Sequence, residues 1–428
     1  MKRLRALFAC ILLTAAALTA GGCSDPAEKR TLVILGAWTD GEEKPFVEVL
    51  RSIGKRTGLT YVYKGTRSLR ETLVAQLQAG APPDMAILNS PGDAAEFALA
   101  GDAYPLPEKV SGAAVPPWAP TVTVENEQGE ARTHAYWAPV RVDLKSLVWS
   151  RGKPAGQATS ERPWCLGLGS GATSGWPGTD WIEDLLLQQM GDTEYERWAT
   201  GGMEWKETAP AWRKWAELIA DGKGDLGTEG LNSSFERLPD GRRGLLKSGR
   251  CDYEHQGSFI RRHYDDEVPP VLPTPTARFL GLKSAEADGA YEVSGDMAAV
   301  FRPSAAAWDL LGRLTSRQAR EDWVKAAPAG ERPFFPGTPV GGTPQSGSTL
   351  AVQKLIDGSR QICMDASDAM PPTLRDAFYR AVLEFLGAGD KEKVLPGLLD
   401  QLEAERKLQE KENAFVLDDL CDSPAAAP

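Results

Sequence analysis

At 428 residues the chain is long enough for two domains with well-buried cores, and its 42% hydrophobic and 25% charged residues are those of a soluble globular protein. The formal charge is -11, and subtracting the three positive charges of the first 22 residues leaves -14 for the rest. A body that acidic repels phosphate backbones and anionic lipid surfaces, so nucleic acid is excluded as a natural partner.

The first 22 residues read as an export signal. "MKRLR" is a positive n-region and "ALFACILLTAAALTA" an apolar run too short to span a bilayer, ending in the small residues of "LTAGGC". That junction resembles a bacterial lipoprotein signal, in which cleavage leaves Cys23 to be acylated. Residues 23–30 then form a polar tether, and the mature protein is expected to leave the cytoplasm.

The body opens with a β-α rhythm. "TLVILGAW" is a buried-strand run. In "EEKPFVEVLRSIGKRTG", Phe46, Val49, Leu50 and Ile53 share one helical face and Gly58 is the stop. "LTYVYKG" alternates as a strand, and "SLRETLVAQLQAG" opens on a capping box of Ser68 and Glu71. "PPDMAILNS" and "DAAEFALAG" add a strand and a helix. Three such units predict an α/β fold with an open parallel sheet, whose ligands bind at the carboxyl ends of the strands. Those ends carry Trp38, Thr66–Arg67 and Asn89–Ser90–Pro91.

Residues 103–134 are proline-rich and irregular, with "ENEQGEA" as a hairpin turn, and "AYWAPVRVDLKSLVW" holds two extended pieces. Residues 180–250 read as mostly helical. "EVPPVLPTPTARFLGL" is extended, "DMAAVF" is a strand, and "SAAAWDLLGRLTSRQAREDWVKAAP" is an amphipathic helix pair. Residues 373–414 are helical and charged, and 416–428 read as a disordered tail.

Outside the leader and Cys23, the cysteines are Cys165, Cys251, Cys363 and Cys421, which allow three pairings. No C-x-x-C occurs and the histidines are only His134, His255 and His263, so disulfides are expected in an exported protein and a zinc site is not. No cofactor or metal is expected.

The segment "PWCLGLGSGATSGWPGTDWIEDLLLQQM", 163–190, is the main site candidate. It has no lysine after its glycines for a phosphate loop, and Ser174 stands where a dinucleotide fingerprint needs its third glycine. A serine elbow is absent, and 59 acidic residues make any pair of glycosidase carboxylates arbitrary. A sugar platform fits better, because sugar C–H faces lie on aromatic rings and hydroxyls need carboxylate partners. Trp176 and Trp181 flank Asp180. Asp180 is also placed to cap a helix, with Glu183 three residues on, and Trp181 to pack in a core.

This segment, continued to "YERW", resembles the bacterial ABC-transporter solute-binding proteins of family 1, in their alpha-glucoside branch. "LGAWTDGEEKPF", "YKGTRSLRETLVAQLQAGAPPDMAIL", "VDLKSLVW", "CDYEHQGSF" and "MDASDAMPP" match in the same order, so the likeness spans roughly 31–400. It implies a two-lobed, periplasmic-binding-protein-like (type II) α/β fold that closes on a sugar and presents it to a permease. Lobe one takes 31–140 and 281–340, and lobe two takes 145–270 and 346–415. Crossings fall near 140–148, 268–280 and 340–350. The resemblance implies Trp38, Arg67 and Asn89 as ligand contacts from lobe one. From lobe two it implies Trp176, Asp180 and Trp181, with Gln256, Ser258 and Phe259 beside them, plus Lys145 in the first crossing and Asp296 in the return strand. It also implies a Cys165–Cys251 disulfide, leaving Cys363–Cys421 as a second.

The implied partners are a sugar or oligosaccharide, the transmembrane subunits of an ABC permease, and the bilayer through acylated Cys23. The protein would be a monomer anchored at the outer face of the bacterial cytoplasmic membrane, and not an enzyme. One departure stands out. Relatives place a "P-x-T-W-D-E" helix before "PWC", whereas only "SRGKPAGQATSER" stands here, without helical period. A secreted sugar-processing enzyme and a diverged sensor or interaction lipoprotein of the same fold are the alternative functions.

Overall fold

The computed structural model describes residues 31–125, 130–153, 156–160, 162–220, 226–282, 289–337 and 346–422. The export signal, Cys23, most of the expected 125–131 turn and residues 423–428 lie outside them. Among the described residues no helix is long and apolar enough to cross a membrane.

The opening rhythm folds as its periodicity dictates. Strands β1 (Thr31–Gly36), β2 (Thr60–Gly65) and β3 (Met85–Leu88) are parallel, with β1 between the other two. The helix Lys44–Thr57 buries Phe46, Val49, Leu50 and Ile53 and ends on Gly58, whose φ of 75° suits a residue without a Cβ. Each of those fully buried side chains stabilises the fold by roughly 1.5–3 kcal/mol. The Ser68 capping box does not form: Ser68 makes no side-chain cap bond to the helix Leu69–Gln78. Ser90 does cap the next helix, Pro91–Leu99, accepting from the Asp93 amide at 3.1 Å.

A two-stranded ribbon, β4 (Val122–Glu125) with β5 (Ala131–His134), precedes the long strand β6 (Trp137–Leu144). Lobe two then builds its own sheet from β7 (Leu147–Ser150), β8 (Trp164–Cys165), β9 (Tyr253–His255) and β10 (Leu272–Pro275), in the order β10-β7-β9-β8. The 11-residue β11 (Ala290–Val300) is the spine joining the lobes. Its last four residues pair with β3 and its first four with β12 (Gln361–Met364), while β6 runs along its other edge. Beyond β12 lies β13 (Cys421–Asp422).

Three expectations are corrected here. The return crossing is β11 rather than 268–280, because β10 pairs with β7 and stays inside lobe two. The register of β11 against β6 slips between Asp296 and Met297, where the spine passes from one lobe to the other. Residues 416–422 are not a tail: Leu417 and Leu420 are buried, and β13 closes the sheet edge beside the Cys363–Cys421 disulfide. Helix also stops earlier than expected in 180–250, since 233–250 is turn, bend and one 3-10 turn, Leu245–Ser248. The third crossing falls mostly on residues outside the description.

Lobe one packs β1, β3 and β11 against the helices Lys44–Thr57, Ala305–Leu314 and Arg317–Ala326 through Ile34, Val49, Leu310 and Trp323. Lobe two has an aromatic core in which Trp198, Trp205 and Trp212 meet Phe378 edge-on or tilted. Both disulfides, Cys165–Cys251 and Cys363–Cys421, are formed.

Candidate functional site

The glycine-rich loop before Trp176 is shaped by a close backbone contact. Gly175 has φ 112°, and a Cβ there would stand 2.6 Å from the Tyr379 carbonyl oxygen, so both torsion and space demand glycine. This close approach presses the start of the helix Trp176–Met190 onto the helix Pro372–Gly387. The helix starts four residues before Asp180, with Pro177 in its first turn. Asp180 therefore does not cap it, and Glu183 is not a capping-box partner; Glu183 accepts instead from the Ser367 amide at 3.1 Å.

What Asp180 does is meet Lys145. Lys145 directly follows β6 and its amide donates to the Glu292 carbonyl at 2.7 Å, which ties the first crossing to the spine. Its buried ammonium lies 3.0 Å from Asp180 and in contact with Asp365. Carboxylate oxygens of Asp180, Glu183 and Asp365 lie within 4.8 Å of one another. The Ser367 hydroxyl and the Asp368 amide each donate to Asp365 Oδ1 at 2.9 Å. Three buried carboxylates around one ammonium cannot all stay charged. Burial and the neighbouring Asp365 and Asp180 push the Glu183 carboxyl well above its ordinary range. Burial pushes Asp180 up to about 6 against the pull of Lys145. For Asp365, Lys145 and a hydrogen bond with Glu183 outweigh burial and hold the carboxyl down. Burial and Asp365 raise Asp368 as well. The cluster thus presents both a carboxylate that accepts and neutral carboxyls that donate.

Trp176 stands over this group, its ring 5.6 Å from the Lys145 ammonium and edge-on to Phe235 at 4.9 Å and Phe259 at 5.9 Å. It keeps part of its ring exposed. Trp181 does not: it stacks on His255 at 4.2 Å, meets Trp164 edge-on and is 2% exposed. The helical turn that brings Trp176 to the surface sends Trp181 into the core, which corrects its expected ligand contact.

A second group forms around Arg141 on β6. Its guanidinium donates to Asp296 at 2.5 Å and Glu42 at 2.9 Å and lies over the Trp38 ring at 4.5 Å. Trp38 is buried against Phe46, Tyr63 and Trp323, so it forms part of the lobe-one core behind this pair. Asp296 is likewise committed to Arg141 rather than open to a ligand. Glu42 also meets Arg262 of lobe two at 2.8 Å, and Asp40 meets Arg243 at 3.6 Å, so the turn after β1 grips the other lobe. Burial would raise the Glu42 carboxyl, but Arg141 and Arg262 together hold it down to about 2. A cavity of about 460 Å³, counted to open solvent, lies among Glu42, Arg141, Phe259, Arg262 and Trp323.

The remaining expected residues divide by exposure. Arg67 is exposed and 3.5 Å from Asp40, and Asn89 is exposed at the end of β3. Ser258 is fully buried, donating to Asp143 at 2.6 Å and accepting from the Leu144 amide, so it secures the crossing and does not face a ligand. Gln256 is buried with its backbone bonded to Leu147 and Trp149. Trp38 Nε1 and Gln256 Oε1 are buried with no hydrogen-bond partner among the described residues.

Sequence reasoning missed Asp365, Asp368, Phe235, Glu42 and Arg141 as individuals. "MDASDAMPP" was a matched segment, so its two aspartates were within reach. Phe235 carried no signal, because its loop meets Trp176 only through the tertiary fold.

Residues 57–237 match the family model described as bacterial extracellular solute-binding protein. The chain is 27% identical over 413 residues to the alpha-glucosides-binding periplasmic protein AglE of Rhizobium meliloti (strain 1021), covering 86% of each. It is 25% identical over 408 residues to the osmoprotective compounds-binding protein GgtB of Synechocystis sp., covering 87% of this chain and 93% of that one. Among solved structures, a chitin oligosaccharide binding protein superposes with a TM-score of 0.64 at 14% identity, covering 89% of this chain and 98% of that one. A cyclic alpha-maltosyl-1,6-maltose binding protein from Arthrobacter globiformis gives 0.54 at 13% identity, covering 90% and 99%. The chain is thus similar to bacterial extracellular solute-binding proteins, relatives that bind solutes and are not enzymes, and it shares their two-lobed α/β architecture.

Proposed function

We propose that the protein is the receptor of an ABC importer, that it binds an alpha-glucoside or related oligosaccharide between its lobes, and that it hands the sugar to a membrane permease. The observation that carries this is the pairing of a part-exposed Trp176 ring with the Lys145–Asp180–Asp365 cluster beside it. An indole face takes the apolar side of a sugar ring, while carboxylates and neutral carboxyls take hydroxyl hydrogen bonds in both senses. The relative AglE is named for binding alpha-glucosides and GgtB for binding osmoprotective compounds, which supports a small-solute ligand. From lobe one, Arg67 and Asn89 supply polar groups at the strand ends, and Phe259 extends the aromatic floor beside Trp176. Ligand contacts with both lobes favour the closed form by their difference in affinity between the two states. Acylation of Cys23 would hold the monomeric receptor at the membrane, where its permease is.

The test is calorimetric titration with maltose, trehalose, sucrose and maltotriose, alongside nitrophenyl glucosides as turnover probes. Saturable binding of at least one sugar without turnover is expected. No heat and no thermal stabilisation with any of the four would overturn the sugar assignment, since ligand at 100 times Kd adds about 2.7 kcal/mol to unfolding.

A further inference from the structure

Lobe two carries a second cavity, whose lining includes neither Lys145 nor Trp176. It measures about 940 Å³ to open solvent and is bounded by β8, the helix Leu226–Asn232, the 233–239 bend and the turn Leu245–Ser248. None of the residues expected to bind the cleft ligand lines it.

The walls are rigid. The Cys165–Cys251 disulfide lies in its lining. One side is locked by backbone bonds from Leu168 to Gly230, Gly169 to Ser233 and Phe235 to Gly169. A Cβ on Gly167 would come within 2.3 Å of the Ser234 carbonyl oxygen, so the two backbone segments touch directly. Trp164, Leu166, Leu226, Leu238 and Leu245 supply apolar surface, all of them largely buried.

The rim is cationic in a protein of net charge -11. Arg162, Arg237 and Arg250 face the cavity with one carboxylate, Glu229, which both Arg162 and Arg250 already share. The Arg237 guanidinium has no partner among the described residues, and Ser233, Ser234 and Asn232 add hydroxyl and amide groups beside it. With Glu229 answering Arg162 and Arg250, the rim keeps one uncompensated guanidinium, Arg237, over an apolar floor. An anion with an apolar body uses both, the guanidinium fork taking the charged oxygens and the leucines and indole the hydrocarbon.

We propose that this cavity is a second ligand site, independent of the inter-lobe cleft, for a small organic anion with an apolar or aromatic body. The probe is 1-anilinonaphthalene-8-sulfonate, titrated by fluorescence at low ionic strength, with the uncharged N-phenyl-1-naphthylamine as control. One saturable site is expected for the sulfonate, with the neutral probe markedly weaker. Arg237→Ala, at an exposed position, should weaken sulfonate binding about fivefold, the scale of one charge-assisted contact. Glu229→Gln, which releases two guanidiniums, should tighten it. Trp176→Ala, in the cleft, should leave it unchanged. Equal affinity of Arg237→Ala and wild type, loss of binding in Trp176→Ala, or equal binding of the neutral probe would each overturn the proposal.

Discussion

Two charge clusters lie beside the β6–β11 crossing and differ in their balance of sign: the Arg141 set bridges the lobes, whereas the Lys145 set lies within lobe two. Around Arg141, two guanidiniums meet Glu42 and a second carboxyl, Asp296, completes the set, so every member has an opposite charge beside it. Around Lys145, one ammonium serves Asp180, Glu183 and Asp365. Matched charges make a clamp whose protonation is set across the neutral range. Excess carboxylates force a proton to be shared, which yields donors as well as acceptors where hydroxyls are to be read. The clamp ties the lobes, and the unbalanced cluster is the recognition surface we propose.

The comparison breaks most visibly at Lys145. Lys145→Met leaves Asp180 and Asp365 buried without a counter-charge and should cost about 3–5 kcal/mol, read by urea unfolding at pH 7. Lowering the pH should recover part of the loss, because protonation removes the unpaired charge. If the variant is as stable as wild type, the cluster is not organised around its ammonium.

Glu42→Gln tests the clamp. The Glu42 carboxyl drops from an ordinary 4.5 to about 2 on folding, so its contribution is full above pH 4.5 and is lost as the pH falls through about 2. The substitution should cost about 2–3 kcal/mol at pH 7, with the variant and wild-type stability curves converging towards pH 2.

Trp176→Ala should weaken sugar binding about tenfold, or about 1.4 kcal/mol, without a comparable loss of stability, by calorimetric titration of whichever sugar binds. An equal loss on Trp181→Ala, once its folding defect is corrected for, would return Trp181 to the site.

The smallest effect is expected from Glu183→Gln. Glu183 is raised well above 4.5, so its contribution to stability is full below 4.5 and is lost as the pH rises through its folded value. An amide matches the protonated form, and the change at pH 7 should be under about 1 kcal/mol. It should turn favourable at higher pH. Asp180 runs in the same direction, its contribution fading as the pH rises from 3.8 through about 6.

Much of the fold was legible because it is local. The spacing of Phe46, Val49, Leu50 and Ile53 specifies the face of one helix, and Gly58 its end, without reference to the rest of the chain. The β11 crossing was not legible, because "PTPTARFLGL" and "YEVSGDMAAV" are both extended and only pairing partners distinguish an internal strand from a spine. Helix starts misled in the same way. Asp180 has the chemistry of a cap, but the preceding Gly175–Tyr379 contact starts the helix earlier. Trp176 and Asp180 were legible as an indole beside a carboxylate and Lys145 only through a resemblance; the fold brings the three together, whereas Trp38, Trp181 and Ser258 serve packing.

By itself the sequence determined the α/β class, the hydrophobic faces and an acidic body unsuited to polyanions, since these follow from composition and short-range periodicity. Tertiary structure decided which tryptophan faces solvent and which carboxyl keeps its proton. Those outcomes depend on groups far apart in the chain, such as Lys145 and Asp365, which are 220 residues apart. Burial and Coulomb forces act through space, and no pattern along the chain records them.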